Sequence, residues 1–392
     1  MTRFSTQFLF LNIGHLLDHL AMLIFATVAA LFLAEAWNLT YDDLIPYGTA
    51  GLVAFGAFAL LAGWLGDKWS REGMMSVFFL GIGASTFATG FADTPLQIGA
   101  GLLAIGVFAA IYHPVGLAMV VEGRGRTGIP IAVNGIYGNM GVALAALVTG
   151  VLIDLVGWRA AFFVPGAVSI AVGLAWMLFL RGGPVVAPAS VAESKPAVQS
   201  EGEPTRAVLI HVFAIIFFTT ALGGLVFQST TFALPEVFDE RLADFAGSAT
   251  EVGGYAFVTF TAAAFAQLLV GWLVDNYSIR WVFMGVAACQ ALLFVAMIHA
   301  DGLLAFFIAV GFMLAVFGQI PINDVLVGRM TKSEWRARAF AARYIVTFAV
   351  AATALNLIAW LHKAWGFEAL FIVLAVAAAA ILCGAFMLPK RV

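Results

Sequence analysis

Twelve apolar runs succeed one another along the 392 residues of this chain, at 8–34, 44–65, 74–91, 96–121, 128–156, 160–180, 208–238, 249–274, 281–299, 302–327, 337–361 and 367–388. Each offers about the 20 residues that a helix needs to cross a bilayer core of about 30 Å. In hydrocarbon every backbone N–H and C=O must find its partner within the chain, which a helix achieves along its own length. The expected fold class is therefore an all-α membrane protein with twelve transmembrane helices. Composition agrees, since apolar residues make up 63% of the chain and charged ones 10%, a balance at which lipid rather than water is the solvent. The net charge of −3 speaks against a nucleic-acid partner. The first run is too long for a signal peptide and continues into a polar-studded helix instead of a small-residue cleavage site, so the N-terminus is expected to stay in the mature protein. Cys289 and Cys383 lie inside apolar runs and are expected to be small buried side chains.

With both termini on one side, the loops on that side carry Arg3, Lys68, Arg71, Arg124, Arg126, Arg181, Lys195, Arg206, Arg280, Arg329, Lys332, Arg336, Arg338, Lys390 and Arg391. The opposite loops carry Arg159, Arg241 and Lys363, and Arg343 falls inside a run. The positive-inside rule then places both termini in the cytoplasm. The stretch 182–206 is rich in Pro, Ser, Ala and Glu without apolar periodicity, which reads as a cytoplasmic linker. It separates two six-helix bundles, 1–181 and 207–392.

The halves repeat one another. Gly63-Trp-Leu-Gly-Asp67 returns as Gly271-Trp-Leu-Val-Asp275 at an offset of 208, Gly157-Trp-Arg-Ala-Ala-Phe162 as Gly366-Phe-Glu-Ala-Leu-Phe371 at 209, and Pro114 as Pro321 at 207. A duplicated unit of this kind makes the two bundles pseudo-symmetric and puts a substrate site at their interface near the bilayer midplane.

The segment Gly63-Trp-Leu-Gly-Asp67-Lys68-Trp-Ser-Arg71 resembles the signature loop of the major facilitator superfamily, and with the spans, linker and second copy the resemblance covers the whole chain. It implies alternating access, with Gly63, Asp67, Arg71 and, in the second copy, Asp275 as gating residues. That second copy has no basic residue directly after Asp275. Tyr112-His113-Pro114 and Tyr137-Gly138-Asn139-Met140-Gly141 look like the fosmidomycin-resistance exporter branch. Two family features are missing: the fourth run has no Arg, and Leu144-Ala145 stands where antiporters carry Gly-Pro.

Ionisable groups inside a span cost roughly 2.5–3.5 kcal/mol on insertion scales, so each is a functional candidate. His15, Asp18 and His19 are spaced i, i+3, i+4 and share one face of the first helix. A carboxylate beside imidazoles can keep a proton near neutral pH, which suits proton coupling or polar substrate binding. Interhelical hydrogen bonding and divalent metal ligation are the alternatives, the latter without Cys or Met ligands at matched spacing. His113 precedes Pro114, which should kink the fourth span; Gln319, Pro321, Asn323 and Asp324 repeat the arrangement in the tenth. Arg343, followed by Tyr344, has Asp324 as its nearest counter-ion, for an anion site, a cytoplasmic gate or a static ion pair; Asn134 is its equivalent in the fifth span. Gln228 and Thr231 share a face of the seventh span, either binding substrate or bonding their own helix. Tyr112, Tyr137 and Asn139 complete the candidates for proton coupling or substrate binding.

These readings point to a proton-coupled secondary transporter of a small organic solute, anionic or drug-like, with export and antiport favoured. Import of a carboxylate or of a transition metal ion is the alternative. A membrane enzyme or a non-transporting sensor is remote, because no loop offers a convincing nucleophile, metal set or acid–base pair and the linker and tails read here are too short for the signalling domain expected of a sensor. No phosphate-binding loop for ATP-driven pumping occurs. The expected partners are a small-molecule substrate, protons and the lipid bilayer, with no cofactor and a monomeric state. A bacterial inner membrane is the expected location.

Overall fold

A computed structural model describes residues 2–122, 124, 128–183, 206–330 and 333–389. Among these, eleven long helical segments carry the fold: α1 (Arg3–Val28), α2 (Thr49–Lys68), α3 (Arg71–Thr89), α4 (Pro95–Ala109), α5 (Gly128–Leu155), α6 (Ala160–Leu180), α7 (Arg206–Arg241), α8 (Ala249–Asn276), α9 (Ile279–Met297), α10 (Gly302–Met330) and α11 (Ser333–Met387), the last made of two helices. Most of the expected linker, residues 184–205, lies outside the described residues. Short polar caps start several helices. Ser70 Oγ accepts from Gly73 N at 3.0 Å ahead of α3, and Thr94 caps α4, whose first residue is Pro95. Both devices satisfy or remove N–H groups that a first turn leaves free.

Ten stretches among the described residues are long and apolar enough to cross a membrane, against twelve expected runs. The third run does form α3, but the helix opens on Arg71 and Glu72 and is diluted by glycines, Ser85 and Thr86. The eleventh and twelfth runs lie in α11 as two helices that meet at a kink, and their apolar part, Ala349–Met387, counts as one stretch. Its backbone leaves helical geometry at Gly366, with φ 70° and ψ −172°. Cys289 and Cys383 are exposed on their helices, not buried as expected; in an apolar run the lipid-facing side is as apolar as the core, so hydrophobicity cannot tell the two apart.

The chain divides into two compact units, Met1–Asn38 with Tyr47–Gln199, and Leu39–Pro46 with Ser200–Val392. In the first, α1 packs on α5, α2 on α4 and α3 on α6. Trp176 Nε1 donates to Glu72 O at 3.1 Å and Ser169 Oγ to Phe79 O at 3.0 Å, which pins α6 to α3. In the second, α7 packs on α11, α8 on α10 and α9 on α11, around a buried cluster that includes Val212, Ile216, Phe283, Ile322, Leu326 and Ile381. The short helix Tyr41–Leu44 belongs to this second unit. His362 bridges Asp42 Oδ1 and Glu240 Oε1, each at 2.7 Å, and Lys363 Nζ donates to Asp43 Oδ1 at 2.9 Å.

Candidate functional site

The first unit gathers its buried histidine and carboxyl groups in one place. His15, Asp18 and His19 stand on α1, and the expected kink at Pro114 takes the form of a π-helical turn, Tyr112–Gly116, after α4. Proline has no N–H and crowds the preceding turn, and a widened turn absorbs both defects. The turn aims His113 at α1: its ring lies 5.3 Å from that of His15 and 5.5 Å from that of His19, centroid to centroid. One ring nitrogen from each of His15, His19 and His113 falls within 4.8 Å of the others.

Hydrogen bonds and packing hold these rings. His15 Nδ1 donates to the Asn134 carbonyl of α5 at 2.8 Å, and because a carbonyl only accepts, the neutral ring carries its proton on Nδ1. His19 Nε2 then donates to His15 Nε2 at 3.2 Å. Tyr112 stacks on His15 at 4.7 Å. The Asn134 amide donates to Asn12 Oδ1 at 2.9 Å and to the Tyr112 hydroxyl at 2.8 Å, and that hydroxyl donates to Leu11 O at 2.7 Å. Close helix approach makes this possible. A Cβ on Gly138 would meet the His15 ring at 2.6 Å, and one on Gly141 would run into Leu16 O. Asp18 is fully buried, and among the described residues neither of its oxygens has a hydrogen-bond partner. Its nearest basic neighbour is His113 Nε2, at 3.7 Å.

At the end of α2, Asp67 Oδ1 accepts from Arg71 Nη2 at 2.9 Å, and Arg71 reaches Glu122 Oε2 at 3.4 Å. The bond to Asp67 pushes the Arg71 pKa further up, so this ion pair joins the start of α3 to the end of α2 at any physiological pH. Gly63 lies against Pro114. Asp275 is the penultimate residue of α8.

The family model described as Major Facilitator Superfamily matches this chain at residues 11–243 and again at 216–392. The chain belongs to the major facilitator superfamily. Among curated relatives it is 28% identical over 189 residues to the probable sulfoacetate transporter SauU of Cupriavidus necator, covering 46% of this chain and 43% of that one. It is 23% identical over 311 residues to the MFS-type transporter YfnC of Bacillus subtilis, covering 77% and 73%. The chain thus spans less than half the length of the first relative. Among solved structures it resembles a bacterial homologue of the human lysosomal transporter Spinster in its inward-facing, occupied conformation (TM-score 0.76, 14% identity, 97% and 95% coverage). It also resembles a D-xylose–proton symporter (TM-score 0.72, 16% identity, 98% and 97% coverage). At such identities the likeness is one of fold.

In the second unit of this superfamily member the expected residues are more dispersed. Thr231 Oγ1 donates to Phe227 O at 2.8 Å, bonding its own helix, while Gln228 is half-buried. Gln319 accepts from the fully buried Gln290 at 2.9 Å, and among the described residues its own Nε2 finds no partner, nor does Asn323 Oδ1. Asp324 follows on α10, which runs through Pro321 without interruption. Tyr137 and Asn139 are half-buried on α5. Arg343 and Tyr344 lie on α11 with side chains outside the described residues. The sequence reading missed Asn12, which stands three residues before His15 and extends the same face, and it missed Gln290. It also did not join His113 to the α1 histidines.

Proposed function

We propose that this superfamily member is a secondary active transporter of a small organic solute. It works by alternating access between two six-helix bundles and is driven by a proton gradient. In this reading the twelve expected spans all cross the bilayer, α3 included, α11 supplies two of them, and both termini are cytoplasmic in a bacterial inner membrane. One observation carries the site assignment: Asp18 is a fully buried carboxylate with no hydrogen-bond partner among the described residues. Such a group is costly in an apolar bundle and is retained where it engages a transported species or a coupling ion. The names of the relatives, a probable sulfoacetate transporter and a xylose–proton symporter, support a polar organic cargo and a proton as the driving ion. The Asp67–Arg71–Glu122 contacts suit a latch that differs in stability between the two access states, and a ligand drives that exchange only through unequal affinity for them.

The test is transport in proteoliposomes under an imposed proton gradient, with organic anions, drug-like cations and sugars offered in turn. One solute should accumulate only when the gradient is present, and Asp18→Asn should abolish accumulation while leaving the thermal midpoint of the purified protein measurable. Accumulation by Asp18→Asn at the wild-type rate would remove Asp18 from the site.

A further inference from the structure

We propose that His15, His19 and His113 form a binding site for a first-row transition-metal dication of the zinc type inside the first unit. The inference stands on side-chain geometry and holds whichever solute is carried. Two nitrogens bound at about 2.0–2.1 Å to a tetrahedral zinc stand about 3.3–3.4 Å apart, and His15 Nε2 and His19 Nε2 are 3.2 Å apart. The third imidazole, His113, offers a ring nitrogen within 4.8 Å of both. An ion entering between the rings replaces the His19-to-His15 hydrogen bond by two coordinate bonds, the neutral His19 ring shifting its proton from Nε2 to Nδ1 so that Nε2 presents a lone pair.

The surroundings are those of a ligand set rather than of a chance cluster. With Nδ1 of His15 donating to Asn134 O, its Nε2 keeps a lone pair pointed at the other two rings, the outer-shell arrangement typical of ligating histidines. Ring positions are held from three sides, by Tyr112 stacked on His15, by Phe55 edge-on to His113 at 5.6 Å and by the bare backbone at Gly138. Little reorganisation is therefore needed on binding. Asp18, with Oδ2 3.7 Å from His113 Nε2, sets a carboxyl group beside the incoming double charge. Among the described residues its oxygens and the buried Nδ1 of His113 have no hydrogen-bond partner, which leaves the cluster short of partners. Three imidazoles select zinc, cobalt, nickel or copper over magnesium and calcium, which prefer oxygen ligands. His19 and His113 retain partial exposure, so a side of the cluster stays open for the ion.

The experiment uses the full chain in detergent, without a polyhistidine tag, titrated with Co2+ and followed by visible absorption, then competed with Zn2+ or Mg2+. One Co2+ should bind per chain, with Zn2+ displacing it and Mg2+ failing to. His19→Gln and His113→Gln, which keep a polar side chain of similar size, should each weaken binding by at least about tenfold, the lower end of the loss seen when mere outer-shell partners of a metal are removed. The double variant His211→Gln/His299→Gln, on histidines remote from the cluster, should bind as the wild type does. Equal affinity in wild type, His19→Gln and His113→Gln overturns the site, as does displacement by Mg2+ as readily as by Zn2+. Because binding is read without transport, a failed proton-gradient assay and a failed metal titration are separate results.

Discussion

Asp18 and the three histidines owe their chemistry to neighbours that have no chemistry of their own. Gly138 is one of them: any side chain there would strike the His15 ring at 2.6 Å. Three residues earlier on the same helix, Gly135 faces open space, with nothing within 4 Å of a Cβ. The pair makes a controlled comparison. Gly138→Ala should destabilise the protein by about 1–3 kcal/mol, as overpacking does, and lower the thermal midpoint. Gly135→Ala should be neutral or slightly stabilising, since alanine is the better helix former by about 1 kcal/mol. A matched loss in both would mean that helix flexibility, not contact with His15, sets the requirement. The i, i+3, i+4 spacing of His15, Asp18 and His19 was legible in the sequence, because helical periodicity alone puts them on one face. His113 was legible only as a residue beside a proline. Its approach to α1 depends on the π turn at Tyr112–Gly116 and on the packing of helices 101 residues apart at Tyr112 and Leu11, which local pattern does not encode.

Among the elements, the short helix Tyr41–Leu44 is the clearest case of placement by side-chain pairing. It carries its own capping box, Thr40 with Asp43, and is tied to the second unit by His362 and Lys363. The His362 side chain is 14% exposed and Asp42 9%, so this pair is shielded enough to exceed the fraction of a kcal/mol typical of surface ion pairs. His362→Ala should therefore speed amide hydrogen exchange across residues 41–44 by about tenfold or more, because local opening is governed by the contacts that hold a segment down. Exchange unchanged in the variant would assign the placement to Tyr41 and Leu44 burial instead. Helix existence was read well from apolar run length. Runs eleven and twelve divide at a kink at Gly366, between their expected ends, and α3 is a helix whose charged start and small residues dilute its hydropathy. Run length reports on solvent, whereas the continuity of a helix is decided by backbone geometry at single residues such as Gly366.

At the level of the whole molecule the duplicated sequence becomes a duplicated pattern of helix partners, first with fifth and second with fourth in each unit. The two glycines matched at an offset of 209 both adopt positive φ, 114° at Gly157 and 70° at Gly366. For an L-residue such conformations cost about 1–3 kcal/mol, so Gly157→Ala and Gly366→Ala should each lower stability by about that amount, measured as thermal midpoints with ligand and detergent held constant. A loss at one position only would break the equivalence at this landmark. Membrane class, the internal repeat and the polar face of α1 were determined by the sequence itself, because each follows from run length, local spacing or self-similarity, and the superfamily was legible as a resemblance of residues 63–71 to its signature loop. Tertiary structure decided which distant groups meet: His113 with His15 and His19, Asn134 with Asn12, and His362 with Asp42. Such meetings depend on how closely two helix backbones approach and how far a turn rotates a side chain. These quantities are set by packing across the bundle and not by any stretch of chain read alone.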